Sequence, residues 1–112
     1  LTPLPNFFFT RDASFSMGDQ VIISKMANAV RDREALIMES IFEDHPLFKG
    51  GTVNPVLKFD QSGRGTIEGG DVLIAREDVF VIGQGDRTST QGIDSMIEFL
   101  KTKEGVKHIL VQ

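Results

Sequence analysis

The sequence predicts an α/β fold built from two consecutive strand–strand–helix–strand units, one over residues 1–56 and one over 57–112. Three observations predict it. Short apolar runs rich in Phe, Val and Ile are bounded by turn residues, as strands are. Two longer segments carry apolar residues on a 3.6-residue period, as amphipathic helices do. The features of the first half also recur in the second at one spacing: Asp12 and Glu68 are 56 residues apart, and so are Arg31 and Arg87.

Taken in order, Phe7–Thr10 reads as a short buried strand and Gln20–Lys25 as a second, with Met17, Gly18 and Asp19 as the turn between them. Ala29–Asp44 reads as a helix, because Val30, Ile37, Met38, Ile41 and Phe42 share one face and the charges Asp32, Arg33, Glu34, Glu39 and Glu43 mostly fall elsewhere. Pro46 ends it, since the residue before a proline is pushed out of the helical region. Thr52–Phe59 is a third strand, with Pro55 marking an edge or a bulge.

The second half repeats the order. Asp71–Ala75 and Val79–Gly83 are strands joined by a charged turn. Thr88 or Ser89 caps a helix whose residues Ile93, Met96, Ile97 and Leu100 stand at i, i+3, i+4 and i+7. Lys101 and Lys103 suit the negative end of that helix, Gly105 stops it, and Val106–Val111 closes the unit. The 56-residue shift also aligns Thr10 with Thr66, Ile37 with Ile93, Ile41 with Ile97 and Val53 with Ile109. A period this long suits a propeller-like or pseudo-symmetric array better than a solenoid.

Composition narrows the function classes. A net charge of −4 without a basic stripe gives no reason to expect nucleic acid as a partner. There is no apolar run of about 18 residues or more, hence no transmembrane helix, and no signal-peptide pattern. Cysteine is absent, which removes disulfides, zinc–thiolate sites and a thiol nucleophile from this segment. The start at Leu1, running through TPLP into a strand, reads as a piece of a longer protein.

The chemistry lies in two acids and two arginines. Asp12 and Glu68 each follow an apolar run, a position from which a carboxylate points into solvent or into a site. In EGGD (68–71) two adjacent glycines allow φ > 0 and close backbone approach, so the flanking acids can be placed tightly; a Gly-Gly turn with solvated acids fits the same letters. FTRD (9–12) likewise allows an Arg11–Asp12 ion pair at a strand end. Arg31 and Arg87 each stand at the start of a helix, where a cation opposes the macrodipole. That penalty, incurred twice, points to a purpose, and the planar fork of Arg matches a carboxylate at two points. Acids and arginines together suit a small zwitterionic ligand.

Other motifs carry less. Positions 60–71 imitate a calcium loop, but Arg64 stands where a ligand oxygen belongs and the flanks read as strands. GQGDR (83–87) lacks the third glycine of a dinucleotide fingerprint and reads as the strand-to-helix corner that presents Arg87. His45 and His108 have no acid or nucleophile near them in sequence and read as structural or solvated.

In order, PNFFFTRD (5–12), SKM (24–26), R-x-R-E-x-L (31–36), IFEDHP (41–46), EGGDVLI (68–74) and GQGDRTS (83–89) resemble the arginine deiminases of the guanidine-modifying superfamily. FTRD and EGGD also occur in its dimethylarginine hydrolases; the asparagine-led PNxxFTRD and the helix ending in HP favour the deiminases. The resemblance implies the pentein fold, a ring of about five such modules around a central site, of which this chain holds two. It implies that Asp12 holds the substrate guanidinium, that Asn6 and Phe9 line the pocket, that Arg31 and Arg87 grip the α-carboxylate, and that Glu68 orients a catalytic histidine. Asp71 would support the EGGD turn.

The implied reaction converts L-arginine to L-citrulline and ammonia in the cytoplasm, without metal or cofactor. A cysteine thiolate attacks the guanidinium carbon, ammonia leaves, and water hydrolyses the S-alkylthiouronium, with the histidine as general acid and then base. Neither a cysteine nor a His-x-Asp segment occurs in these 112 residues, so the segment alone is expected to be inactive. A dimethylarginine hydrolase, an amidinotransferase or a non-catalytic truncated module are the alternatives. Two modules taken from a ring expose edges, so self-association is also expected.

Overall fold

The computed structural model describes residues 3–4, 6–18, 20–48, 56–58, 65–103 and 105–112. Among these, two three-stranded sheets and three α-helices form. A helical turn α1 (Thr10–Ala13) leads into β1 (Ser14–Met17) and β2 (Gln20–Ile23). A 3-10 turn (Ala29–Arg31) opens α2 (Asp32–Asp44), and β3 (Val56–Lys58) follows. A second 3-10 turn (Gly69–Asp71) then leads into β4 (Val72–Arg76), β5 (Val79–Ile82), α3 (Thr90–Lys101) and β6 (His108–Val111).

The two sheets share one topology. β1 pairs antiparallel with β2, and β2 pairs parallel with β3. β4 pairs antiparallel with β5, and β5 pairs parallel with β6. A parallel pair needs a crossover, and α2 and α3 supply it. Because β3 belongs to the first sheet, the expected division after position 56 passes through that strand.

The first strand was misplaced by the sequence reading. Positions 6–8 form a turn and Thr10–Ala13 a helical turn, so Phe7–Thr10 is not a strand. Phe8 and Phe9 are 75% and 50% exposed, so the apolar run was not a core signal. The strand before the Gly18 turn is Ser14–Met17, and Gly18 takes φ 61°, the left-handed conformation that glycine adopts without steric cost. Lys103 lies beyond the end of α3, its ammonium 5.5 Å from the Phe99 ring centre. Of the expected strand Thr52–Phe59, Val56–Lys58 is present; Val53 and Pro55, like most of the 60–71 loop candidate, lie outside the described residues.

The other boundaries follow local chemistry. Asn28 caps the 3-10 turn by accepting from the Val30 N–H at 3.0 Å. His45, before Pro46, is extended (φ −68°, ψ 132°) and ends α2. Ser89, rather than Thr88, caps α3 by accepting from the Gly92 N–H at 3.1 Å. Gly105 (φ 92°) turns the chain back toward β6.

The 56-residue period does not coincide with the register of the elements. From Ser14, the start of β1, to Val72, the start of β4, is 58 residues, and from Asp32 to Thr90, the starts of α2 and α3, is again 58. Asp12 and Glu68 are therefore neighbours of equivalent turns, displaced by two positions within them. Ile93 is buried, whereas Ile37 is half-buried.

Packing joins the halves. Side chains alternate across β2, so Ile22 faces one way and Val21 and Ile23 the other. Val21 and Ile23 pack with Met26 and Ala35, backed by Met38 and Phe42 of α2. Ile22 and Met17 enter the second core, with Ile67, Val72, Phe80, Ile82, Ile93, Met96 and Leu100. An antiparallel bridge between Lys25 and Ile67 ties the end of β2 to the segment before EGGD. That bridge carries Glu68 to the first half's acid and arginine.

Candidate active site

The site forms where three turns meet: α1 with Asp12, the 3-10 turn ending in Arg31, and the EGGD turn. Arg31 is its centre. It is 6% exposed, and its Nε and Nη2 donate to Glu34 Oε2 and Oε1 at 2.9 and 2.8 Å. Nη1 donates to Asp12 Oδ2 at 2.8 Å, and Nη2 reaches the carbonyls of Phe9 at 3.2 Å and Asn6 at 3.4 Å. The paired carboxylates, Glu34 first and Asp12 second, hold the guanidinium pKa above the ordinary arginine range against the opposing effect of burial. The penalty of a cation at a helix N-terminus is thus met by an acid on the first turn of the same helix.

Glu34 was missed by the sequence reading, which placed it among the charges that mostly fall off the apolar face of the helix. It is fully buried. The Arg-x-x-Glu spacing was the available signal, since residues i and i+3 are neighbours on a helix.

Glu68 is 3% exposed at the base of the site. Its Oε2 accepts from the Ala27 N–H at 3.2 Å. Its Oε1 has no hydrogen-bond partner among the described residues and lies 3.7 Å from Arg31 Nη1. Burial raises the Glu68 pKa; the Ala27 N–H opposes that, nearby Asp12 adds to it, and Arg31 and Arg87 draw it down. A buried carboxylate oxygen without a donor is costly, and such an atom beside a cleft is a place for a ligand or a further side chain.

The glycines of EGGD serve close approach, and neither has a positive φ. A Cβ on Gly69 would strike the Arg11 carbonyl and the Phe15 ring, and one on Gly70 would strike Asp12 Oδ1. The turn is held from the start of the segment leading into α3: Thr88 is fully buried, accepts from the Glu68 N–H at 3.2 Å and donates to Asp71 Oδ2 at 2.5 Å. Thr88 therefore belongs to the site, while Ser89 caps the helix. The Arg11–Asp12 ion pair does not form; Arg11 donates to the Val72 carbonyl at 3.2 Å instead.

Arg87 is exposed, on the corner between β5 and α3, with no hydrogen bond among the described residues. Two adjoining clefts share Glu68 and Arg87. One, of about 420 Å³, is bordered also by Asn6, Asn28, Arg31 and Asp86. The smaller, of about 170 Å³, is bordered also by Asp12, Gly70 and Asp71. Asn6, Asp12, Arg31, Glu68 and Arg87 thus come together. Phe9 borders neither cleft; its ring lies 4.2 Å from that of Phe8, and its part here is its carbonyl.

His45 and His108 are both exposed, and His45 Nδ1 accepts from the Leu47 N–H. Among the described residues, no three His, Cys, Asp or Glu stand as a metal-binding group, and no helix is long and apolar enough to cross a membrane.

The chain resembles known proteins in sequence and in fold. A family model described as arginine deiminase matches residues 1–112. The chain is 36% identical over 111 residues to an arginine deiminase of Borrelia garinii subsp. bavariensis, covering 98% of this chain and 26% of that protein. It is 42% identical over 96 residues to an arginine deiminase of Rhodococcus erythropolis, covering 86% and 22%. The chain thus spans about a quarter of the length of these relatives. Among solved structures, a dimethylarginine dimethylaminohydrolase of Pseudomonas aeruginosa, a Cys-to-Ser mutant complexed with citrulline, superposes with a TM-score of 0.73 at 27% identity, covering 97% of this chain and 39% of that one. The N-terminal domain of a cyanobacterial arginine dihydrolase bound to substrate superposes with a TM-score of 0.75 at 20% identity, covering 99% and 36%, a likeness of fold.

Proposed function

Because this chain belongs to the arginine deiminase family, we propose that it is the segment of an arginine-hydrolysing enzyme that supplies the guanidinium and α-carboxylate sites, as two modules of a pentein ring. The observation that carries this reading is the pairing of acids and an arginine along the clefts. Two largely buried carboxylates, Asp12 and Glu68, and an exposed arginine, Arg87, line these clefts, Glu68 and Arg87 lining both. A planar cation is matched by the first and a carboxylate by the second.

Asp12 would take the substrate guanidinium through paired N–H···O bonds. Glu68 would direct its unpartnered Oε1 toward a histidine supplied from outside this segment, as the cysteine nucleophile would also be. Arg87 would grip the α-carboxylate with its unengaged fork. Arg31 would assist with one N–H of Nη1, because its other N–H groups point to Glu34, Asp12 and backbone carbonyls. Asn6 would line the wider cleft, and the Phe9 ring would approach substrate only if the turn at 6–8 moved.

The test is product analysis with a full-length protein carrying this segment. Citrulline and ammonia in equal amounts from L-arginine support the reading. Turnover confined to methylated arginines, or amidino transfer to an added amine, would move it to the sister activities that share FTRD and EGGD. The 112-residue segment alone should form no citrulline. It should also self-associate, because Leu73, Ile74, Leu110 and Val111 leave apolar surface exposed on the second sheet.

A further inference from the structure

We infer that Glu34 is a positioning residue for guanidinium binding: by holding the Nε–Nη2 edge of the Arg31 fork, it keeps Arg31 from closing at two points on Asp12 and leaves Asp12 charge for a ligand. This rests on the reading of Asp12 as the guanidinium site.

The geometry has a built-in competitor. Arg31 carries the same planar cation as the proposed substrate, and it already touches the acid meant for that substrate. An arginine and a carboxylate left to themselves in a dry site pair through two parallel N–H···O bonds. Here the contact with Asp12 is through Nη1 alone, while the Nε–Nη2 edge, which could make such a pair, is taken by Glu34. The direction of the fork is set by a short tether, since Glu34 lies three residues on in the same helix and is fully buried. The phenylalanine and asparagine carbonyls on Nη2 close the remaining freedom.

Charge counts the same way. Arg31 and Glu34 cancel, which leaves Asp12, Glu68, Asp71 and Asp86 as the acids bordering the clefts, with Arg87 the other cation at them. Without the charge of Glu34, Arg31 would cancel Asp12 instead. A cationic ligand would then meet a neutralised acid and would have to displace an internal guanidinium to reach it.

The experiment uses Glu34→Gln in the full-length protein, with agmatine as the probe because it carries the guanidinium and no carboxylate. The agmatine Kd, measured by calorimetry, should rise about tenfold or more. The arginine KM should rise with it, while kcat stays within about threefold. The double variant Arg31→Met, Glu34→Gln removes the competitor together with its restraint and should regain agmatine affinity to within about threefold of wild type. A crystal structure of Glu34→Gln should show Arg31 on both oxygens of Asp12.

An unchanged Kd in Glu34→Gln, or a double variant no better than the single, would overturn the inference. A crystal structure in which Arg31 keeps its single Nη1 contact would overturn it too. Should Glu34→Gln not fold, the double variant decides: affinity lost by about tenfold there means that Arg31 supports the site and does not compete for it. If the wild type binds neither arginine nor agmatine, it is the functional reading that fails, and the crystal structure alone then decides the role of Glu34.

Discussion

Arg31 Nη1 and Asp12 Oδ2 lie 2.8 Å apart, joining the helical turn before β1 to the turn that opens α2. The two residues are separated by 19 positions, and nothing local requires them to meet. They meet because β1 and β2 are antiparallel, which brings the segment before β1 beside the segment after β2. The pair closes the first half of the site.

Asp12→Asn, in the full-length protein, should abolish turnover of arginine. Removing one partner of a buried charge pair costs about 3–5 kcal/mol, equivalent to roughly two to four decades in rate. Steady-state kinetics check this, with circular dichroism to confirm folding. A variant within about tenfold of wild type would reduce Asp12 to a partner of Arg31.

Arg31 and Arg87 should part company on substitution. Arg31→Ala strands Glu34 in the interior as a buried unpaired acid, so it should destabilise the protein by about 3–5 kcal/mol. Arg87→Ala touches an exposed side chain with no hydrogen bond among the described residues and should leave the melting temperature unchanged. It should instead lower kcat/KM for arginine by roughly ten- to a hundredfold, the loss of a charge-assisted contact worth ~1.5–3 kcal/mol. Agmatine, which lacks the carboxylate, should lose far less. Equal losses on the two substrates would remove Arg87 from the carboxylate site.

The two glycines of EGGD should fail differently. A methyl at Gly69 meets backbone and a ring, so Gly69→Ala should cost about 1–3 kcal/mol of stability, read by denaturant unfolding. A methyl at Gly70 meets only the carboxylate of Asp12. Gly70→Ala should therefore spare stability and lower activity by displacing that acid. The reverse pattern would show that Gly70 is structural.

Glu68 sets a pH dependence whose sign follows from its raised pKa. Its native pKa lies above its unfolded one, so the native state binds more protons between the two values. Stability is full below the ordinary glutamate pKa of about 4.3 and falls as pH rises through the native value. Glu68→Gln carries no such charge. It should match wild type in melting temperature near the acid end of that window and exceed it at neutral pH, while losing activity. A variant less stable than wild type at neutral pH would mean that Oε1 is satisfied in the whole protein.

By itself the sequence determined the order of elements from residue 20 onward, the end of the first long helix before Pro46, the cap of the second to within one residue, and the identity of five of the residues that converge. Those features rest on interactions within a few residues: the i, i+3, i+4 period, a Ser cap, a proline after a helix. The family was legible for the same reason, as a string of local motifs. The tertiary structure alone decided where the first strand lies, because Phe7–Thr10 and Ser14–Met17 differ in having β2 as a partner, not in local propensity. It decided that the glycines of EGGD serve close approach rather than a special φ, since their neighbours Arg11 and Asp12 come from far along the chain. It also decided the fates of Glu34 and Thr88. A charge at a helix start and a hydroxyl before a helix read as helix surface and cap; in the fold both are fully buried, Glu34 against Arg31 and Thr88 against Glu68 and Asp71, and burial is a property of what covers a residue.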